Sequence, residues 1–176
     1  MSRPNFSSFR SLNTLGNNSF ECLITDIPAA GGTEKQLAIQ CAGFTMPGLE
    51  VSRLEVILQG FKFYNSAGTT VFPGQFTITY LESSDYLVHK AMRAWKEICA
   101  GTLSGTTAGD KSTYARDIIL RQYNPQGAIA GSVKMLGCYP ITLPDNVMES
   151  TQSPTPTQLS ITFSFDMSEL DGVTNR

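Results

Sequence analysis

The chain has 176 residues, a length that suits one domain with a hydrophobic core of its own and no need of disulfides or metals. Hydrophobic residues make up 41% and charged residues only 16%, below the roughly 25% usual in soluble domains; a surface polar by hydroxyls and amides, much of it meeting other subunits, accounts for that balance. With a formal charge of -2 and Lys and Arg scattered singly, the chain lacks the basic footprint of a protein that grips phosphates.

Residues 1–18 are rich in Ser and Asn, with isolated Phe6, Phe9, Leu12 and Leu15, and read as an arm that is frayed or docked on a neighbour. From Ser19 the pattern changes. Phe20, Cys22 and Ile24 alternate with polar or outward positions, and after a turn region at 28–33 Leu37, Ile39 and Cys41 alternate again, which predicts a hairpin. Met46-Pro47-Gly48 breaks the strand, because Pro offers no donor to a ladder. Residues 45–74 then form a long excursion with strand candidates at 53–58 and 61–64 and a turn at Asn65-Ser66-Ala67-Gly68. A loop of that length inside a small domain is usually functional, so the segment reads as a protruding hairpin for contacts.

Phe76, Ile78 and Tyr80 alternate with Gln75, Thr77 and Thr79 and predict a strand with one buried face. A helix follows at about 85–100, with Ser84 as N-cap and Asp85 in its first turn. Val88, Ala91, Met92, Trp95, Ile98 and Cys99 share one stripe, opposite His89, Lys90, Arg93, Lys96 and Glu97, and Gly101 terminates it. Residues 103–113 hold little beyond Gly, Ser, Thr and Ala and read as a flexible loop. Strands are predicted at 117–123, 129–136 and 158–166. Asn124-Pro125-Gln126-Gly127 turns the first two into a hairpin, and 150–157, with Pro154 and Pro156, is a loop. In the last strand Leu159, Ile161, Phe163 and Phe165 alternate with Gln158, Ser160, Thr162 and Ser164, giving a core face and a hydroxyl face. The expected fold is mainly β with one α-helix, a small antiparallel barrel or sandwich over 19–167, between the arm at 1–18 and a C-terminal tail at 168–176.

The residues that carry chemistry are sparse. Cys22, Cys41, Cys99 and Cys138 have neither CxxC nor zinc-ligand spacing. A Cys22–Cys41 disulfide is conceivable if the two lie on neighbouring strands, but would not persist in a reducing cytoplasm. His89, the one histidine, sits on the charged helix face and reads as a solvated or interface group. Trp95, in the apolar stripe, reads as a core anchor. Nucleophile-elbow, zincin, Walker A and dinucleotide-binding motifs are missing. No cofactor, metal or catalytic residue is therefore assigned, and the expectation is a protein that is not an enzyme. No apolar run approaches the roughly 20 residues of a membrane span, and residues 1–10 lack the apolar stretch of a signal peptide, so no membrane anchoring of its own is expected.

Three local patterns occur in an order that resembles the tube proteins of contractile phage tails. Gln40-Cys41-Ala42-Gly43-Phe44-Thr45-Met46-Pro47-Gly48 is similar to that family's strand ending in a Met-Pro turn. Phe76-Thr77-Ile78-Thr79-Tyr80, then Ser84, Asp85 and a helix closing with Trp95, matches its strand-then-helix step. Ile119-Leu120-Arg121-Gln122-Tyr123, the turn at 124–127 and Val133 to Pro140 resemble its late hairpin. The likeness spans roughly residues 19–167. It implies a structural subunit whose strands join a continuous barrel in a hexameric ring, with rings stacked into a tube in a phage tail assembled in the host cytoplasm. Its implied partners are copies of itself, the tail sheath protein, the tape measure protein, baseplate tube proteins and double-stranded DNA in transit without specific binding.

On that reading Phe44, Met46, Pro47, Arg53, Phe61, Phe63 and Tyr64 are interface candidates, and Gln75, Thr77, Thr79, Ser160, Thr162 and Ser164 are candidates for the lumen face. A baseplate tube-initiating protein and an injection-system tube protein of the same fold are the alternatives within the class. A small-ligand- or flavin-binding β-barrel is the alternative outside it.

Overall fold

A computed structural model describes residues 19–170 except 29, 49, 72, 102–104, 106–108 and 145–155. The N-terminal arm, most of the Gly/Ser/Thr loop after 101 and much of the proline-bearing loop lie outside the described residues. Nine strands and three helices occur among those described: β1 (Phe20–Ile24), α1 (Glu34–Gln40), β2 (Cys41–Phe44), β3 (Glu50–Leu58), β4 (Phe61–Val71), β5 (Gln75–Leu81), α2 (Leu87–Cys99), α3 (Lys111–Tyr114), β6 (Arg116–Tyr123), β7 (Ile129–Thr142), β8 (Gln158–Ser164) and β9 (Met167–Leu170).

Seven strands form one antiparallel sheet in the order β1-β6-β7-β8-β5-β2, with β9 paired to β7; β3 and β4 form a separate two-stranded ribbon. Strand β7 serves both halves of the sheet. Its residues up to Cys138 pair with β6, those from Val133 to Leu136 also with β9, and from Tyr139 on it pairs with β8. Gly137 lies in the register irregularity just before that change; its φ of +68° is in the left-handed region, and its missing Cβ leaves room for the Asp166 carboxylate.

Alternation places the core as the sequence implies. Phe76, Ile78 and Tyr80 of β5 and Leu159, Ile161 and Phe163 of β8 are buried, with Phe76 and Phe163 directly opposite and their rings stacked at 5.6 Å. Ile118 and Leu120 of β6 and Val133 and Met135 of β7 complete the wall. Helix α2 lays Val88, Ala91, Met92 and Trp95 against this core. The Trp95 ring lies 5.8 Å from that of Phe163, and its Nε1 donates to the Tyr114 carbonyl at 2.6 Å, so the indole is buried with its polar handle satisfied.

Several sequence expectations are corrected. Three helices stand where one was expected. Residues 34–40 are the helix α1, not a strand: of the alternating trio only Leu37 is buried, while Ile39 is 83% exposed. Glu-Lys-Gln-Leu-Ala is a run of good helix formers, and a short apolar alternation does not separate one helical turn from a strand. The hairpin expected of residues 20–41 is consequently absent, since β1 pairs with β6 and β2 with β5. α2 starts at Leu87, and its cap is Glu82 rather than Ser84: the Glu82 carboxylate accepts from the backbone N–H of Val88 and His89. Lys111–Tyr114, whose first three residues read as the end of a loop, is a turn of helix capped by Asp110, whose side chain accepts from Ser112 N. The last strand ends at Ser164, and β9 occupies residues where a tail was expected to begin.

Candidate assembly interface

The excursion after Met46 is a hairpin, longer than the sequence suggested. Its turn is Gln59-Gly60, both at positive φ (50° and 84°), the geometry that two-residue hairpins favour. Asn65 to Gly68 is not the turn. It lies within β4, across from the register shift between Val51 and Arg53 of β3, so the small residues read as turn formers supply an irregularity in the ladder.

Cross-strand register sorts the ribbon into two unlike faces. Leu54 stands opposite Asn65, Val56 opposite Phe63 and Leu58 opposite Phe61, so five apolar side chains share one face. The other face pairs Arg53 with Ser66, Glu55 with Tyr64 and Ile57 with Lys62. There the Lys62 ammonium meets Glu55 at 2.8 Å, and the Arg53 guanidinium lies 4.8 Å from the centre of the Tyr64 ring. Every residue of β4 is exposed, Phe61 at 69%. Fully burying one Leu or Phe is worth about 1.5–3 kcal/mol, and an isolated two-stranded hairpin is marginal in water. A ribbon with this apolar face is therefore stabilised by whatever covers it.

The proposed interface residues do not all come together. Arg53, Phe61, Phe63 and Tyr64 lie on the ribbon, the two phenylalanines on its apolar face and Arg53 and Tyr64 on the polar one. Met46 is exposed and Pro47 half-buried on the connection leading to it. Phe44 stands apart: its ring meets that of Phe20 edge-on at 5.2 Å and packs on the core, so it closes the subunit on itself. Leu54, Val56 and Leu58 were missed. Their signal was present, since three apolar residues two apart must face Phe61 and Phe63 once the turn is placed at 59–60.

A second surface is polar throughout. Gln75 pairs with Ser164, Thr77 with Thr162 and Thr79 with Ser160, so the six residues singled out on β5 and β8 form three directly opposed pairs on one face, away from the core. Thr79 Oγ1 and Ser160 Oγ are 3.1 Å apart, within hydrogen-bond range. A Ser/Thr/Gln ladder of this kind has no fixed charge to hold a polyanion.

The enclosed side of the sheet is filled by Ile78, Met92, Trp95, Ile161 and Phe163. An open cleft of about 600 Å3, lined by Thr25, Asp26, Ala115, Arg116, Asp117, Ile119 and Lys134, lies on the surface. Its charges answer one another: Lys134 meets Asp117 at 2.8 Å, and Arg116, whose Nε donates to the Asp26 backbone carbonyl at 2.7 Å, lies 3.7 Å from the Asp26 carboxylate. No group of metal-ligating side chains occurs among the described residues.

The described domain thus has a packed interior, a hydroxyl-faced sheet and a ribbon exposing apolar side chains. The model of the phage tail tube protein family matches residues 4–168, and the chain belongs to that family. Its members are structural proteins, not enzymes. Among curated proteins none is significantly similar to the chain in sequence. The fold is that of a chain in the sheath-tube complex, in its extended state, of the extracellular contractile injection system PVC (TM-score 0.62, 14% identity, 97% of this chain and 100% of that one). It is also that of a chain of the PVC sheath/tube terminator (TM-score 0.65, 12% identity, 92% and 99%). A chain of the anti-feeding prophage baseplate, 6-fold symmetrised, shares it as well (TM-score 0.56, 10% identity, 98% of each).

Proposed function

We propose that copies of this chain close into six-membered rings and that the rings stack into the inner tube of a contractile phage tail. The observation that carries assembly is the ribbon β3–β4, which among the described residues pairs with neither half of the main sheet and turns Leu54, Leu58, Phe61 and Phe63 to solvent, with Val56 half-buried on the same face. Covered by a neighbouring subunit or ring, that face loses its contact with water, and β9 and the other open strand edges gain partners. The six-fold symmetry of the baseplate whose chain shares this fold supports the ring number. The sheath-tube complex supports a sheath outside the tube.

The hydroxyl face of β5 and β8 then lines the lumen. A channel wall polar through Thr77, Thr79, Ser160 and Thr162 and free of a basic stripe lets duplex DNA pass without counterion-releasing contacts. Before ejection the same lumen encloses the tape measure protein. The fold shared with terminator and baseplate chains favours one second reading, a place at the end of the tube next to baseplate or cap.

Negative-stain electron microscopy of the purified protein tests this. Stacked annuli support a repeating tube subunit, whereas single rings that never extend support an end position. Phe61→Asp with Phe63→Asp leaves the core untouched and should abolish rings while far-UV circular dichroism stays that of the wild type. Persistent monomers of the wild type, or rings from the double variant, would overturn the assembly reading.

A further inference from the structure

The main sheet curls until its two end strands face each other, yet they share no ladder: β1 pairs only with β6 and β2 only with β5 among the described residues. Their backbones nevertheless come within 8 Å. Side chains close this seam. Phe20 of β1 meets Phe44 of β2 with ring centres 5.2 Å apart. Farther along the same two strands, Cys22 lies two residues on from Phe20 and so on the same face, buried in the core, and Cys41, opposite Tyr80, shares a face with Phe44, opposite Ile78, and packs against that core. Beside them is Tyr80, buried and opposite Cys41 in the register of β2 and β5.

We infer that Cys22 and Cys41 are a redox site, a dithiol that closes to a disulfide by exchange with a low-molecular-weight disulfide and so joins β1 to β2 across the seam. The two sulfurs are unlike in a way that orders the steps. Cys22 is buried and its thiol is pushed well up, first by its hydrogen bond to Cys41 and then by burial. Cys41 is half-buried, and the same hydrogen bond holds its pKa below that of an ordinary thiol against the opposing effect of burial. Cys41 is thus the thiolate that attacks one sulfur of the small disulfide, breaking its S–S bond and releasing one small thiolate. Cys22 then gives its proton to solvent and attacks the Cys41 sulfur, and the second small thiolate leaves. Two protein thiols have lost two protons and two electrons, and the reagent disulfide has become two thiols.

Reducing surroundings keep the seam open and oxidising ones close it covalently. The ring formed runs from residue 22 to residue 41 and takes in α1. Closing a loop of about 20 residues should raise the melting temperature by roughly 6–12 °C in a domain of this size.

The test is incubation of the purified full-length protein with oxidised glutathione, followed by blocking of residual thiols, peptide mass mapping and thermal melting. The expected result is a Cys22–Cys41 linked peptide, no retained glutathione, and a rise in melting temperature that a reducing agent reverses and that Cys41→Ser does not show. Four free thiols after oxidation would overturn the inference, as would glutathione lodged on Cys41 or a link from Cys22 to Cys138. A Cys22–Cys41 link that leaves the melting temperature unchanged would overturn its role in closing the seam. Because the map is made on the wild-type protein, it decides the matter whether or not the serine variant folds.

Discussion

At the scale of single residues, Gly137 does what no other residue in β7 could. It takes a left-handed conformation in the register irregularity just before the strand passes from β6 to β8, and it leaves space for Asp166, which ion-pairs with Lys111. Gly137→Ala puts a methyl into that space and should cost about 1–3 kcal/mol, from the backbone conformation and from displacement of the carboxylate, read as a lowered urea midpoint. Adding Asp166→Ala should recover part of the loss. No recovery would mean that backbone conformation alone carries the cost. The four thiols are also distinguishable at this scale. Burial pushes Cys99 up to about 11 and Cys138 up to about 12, whereas the hydrogen bond from Cys22 holds Cys41 low. A thiol reacts as its thiolate, so as pH rises from 7 to 9 iodoacetamide should modify Cys41 well before Cys99 or Cys138. Mass mapping at short times checks the order, and Cys138 reacting first would contradict it.

At the scale of elements, α2 shows how local structure depends on a side chain outside the helix. Tyr86 precedes it at a φ of 55° and offers no side-chain cap, so Glu82 reaches over and accepts from the N–H groups of Ser83, Val88 and His89. These donors at the positive end of the helix favour an anionic acceptor. Glu82→Ala should destabilise the protein by about 1–2 kcal/mol, and Glu82→Gln by less, in chemical denaturation; equal losses would deny the charge a role. The ribbon shows a different dependence. Its register and turn are local, set by Gln59-Gly60 and by alternation, but its apolar face has no partner within the described subunit, so its stability as an element belongs to the assembly.

At the scale of the whole molecule, one sheet presents a core side and a hydroxyl side, and the proposed tube uses both. If the hydroxyl side lines a lumen, Ser160→Cys should take up a bulky polymer-linked maleimide in free subunits and lose that reactivity in assembled tubes, while a small maleimide still labels position 160 in both. Equal labelling of tubes by the bulky reagent would place that face outside.

What the sequence determined by itself is which residues face inward. Period-two alternation marks the buried sides of β1, β5, β6 and β8, and the helical stripe marks that of α2, because both patterns record local geometry against a single apolar side. The paired polar face of β5 and β8 follows from the same alternation. The partner of each strand was left to the tertiary structure: β1 finds β6 about a hundred residues later, a choice made by packing across the core that no local period encodes. The same reason covers residues 34–40. Seven residues with two or three apolar positions fit a turn of helix or a strand equally well, and only the cavity that receives Leu37 decides between them. The meeting of Cys22 with Cys41 likewise comes from the curl of the whole sheet, which brings its two ends together although they belong to different pairs of strands.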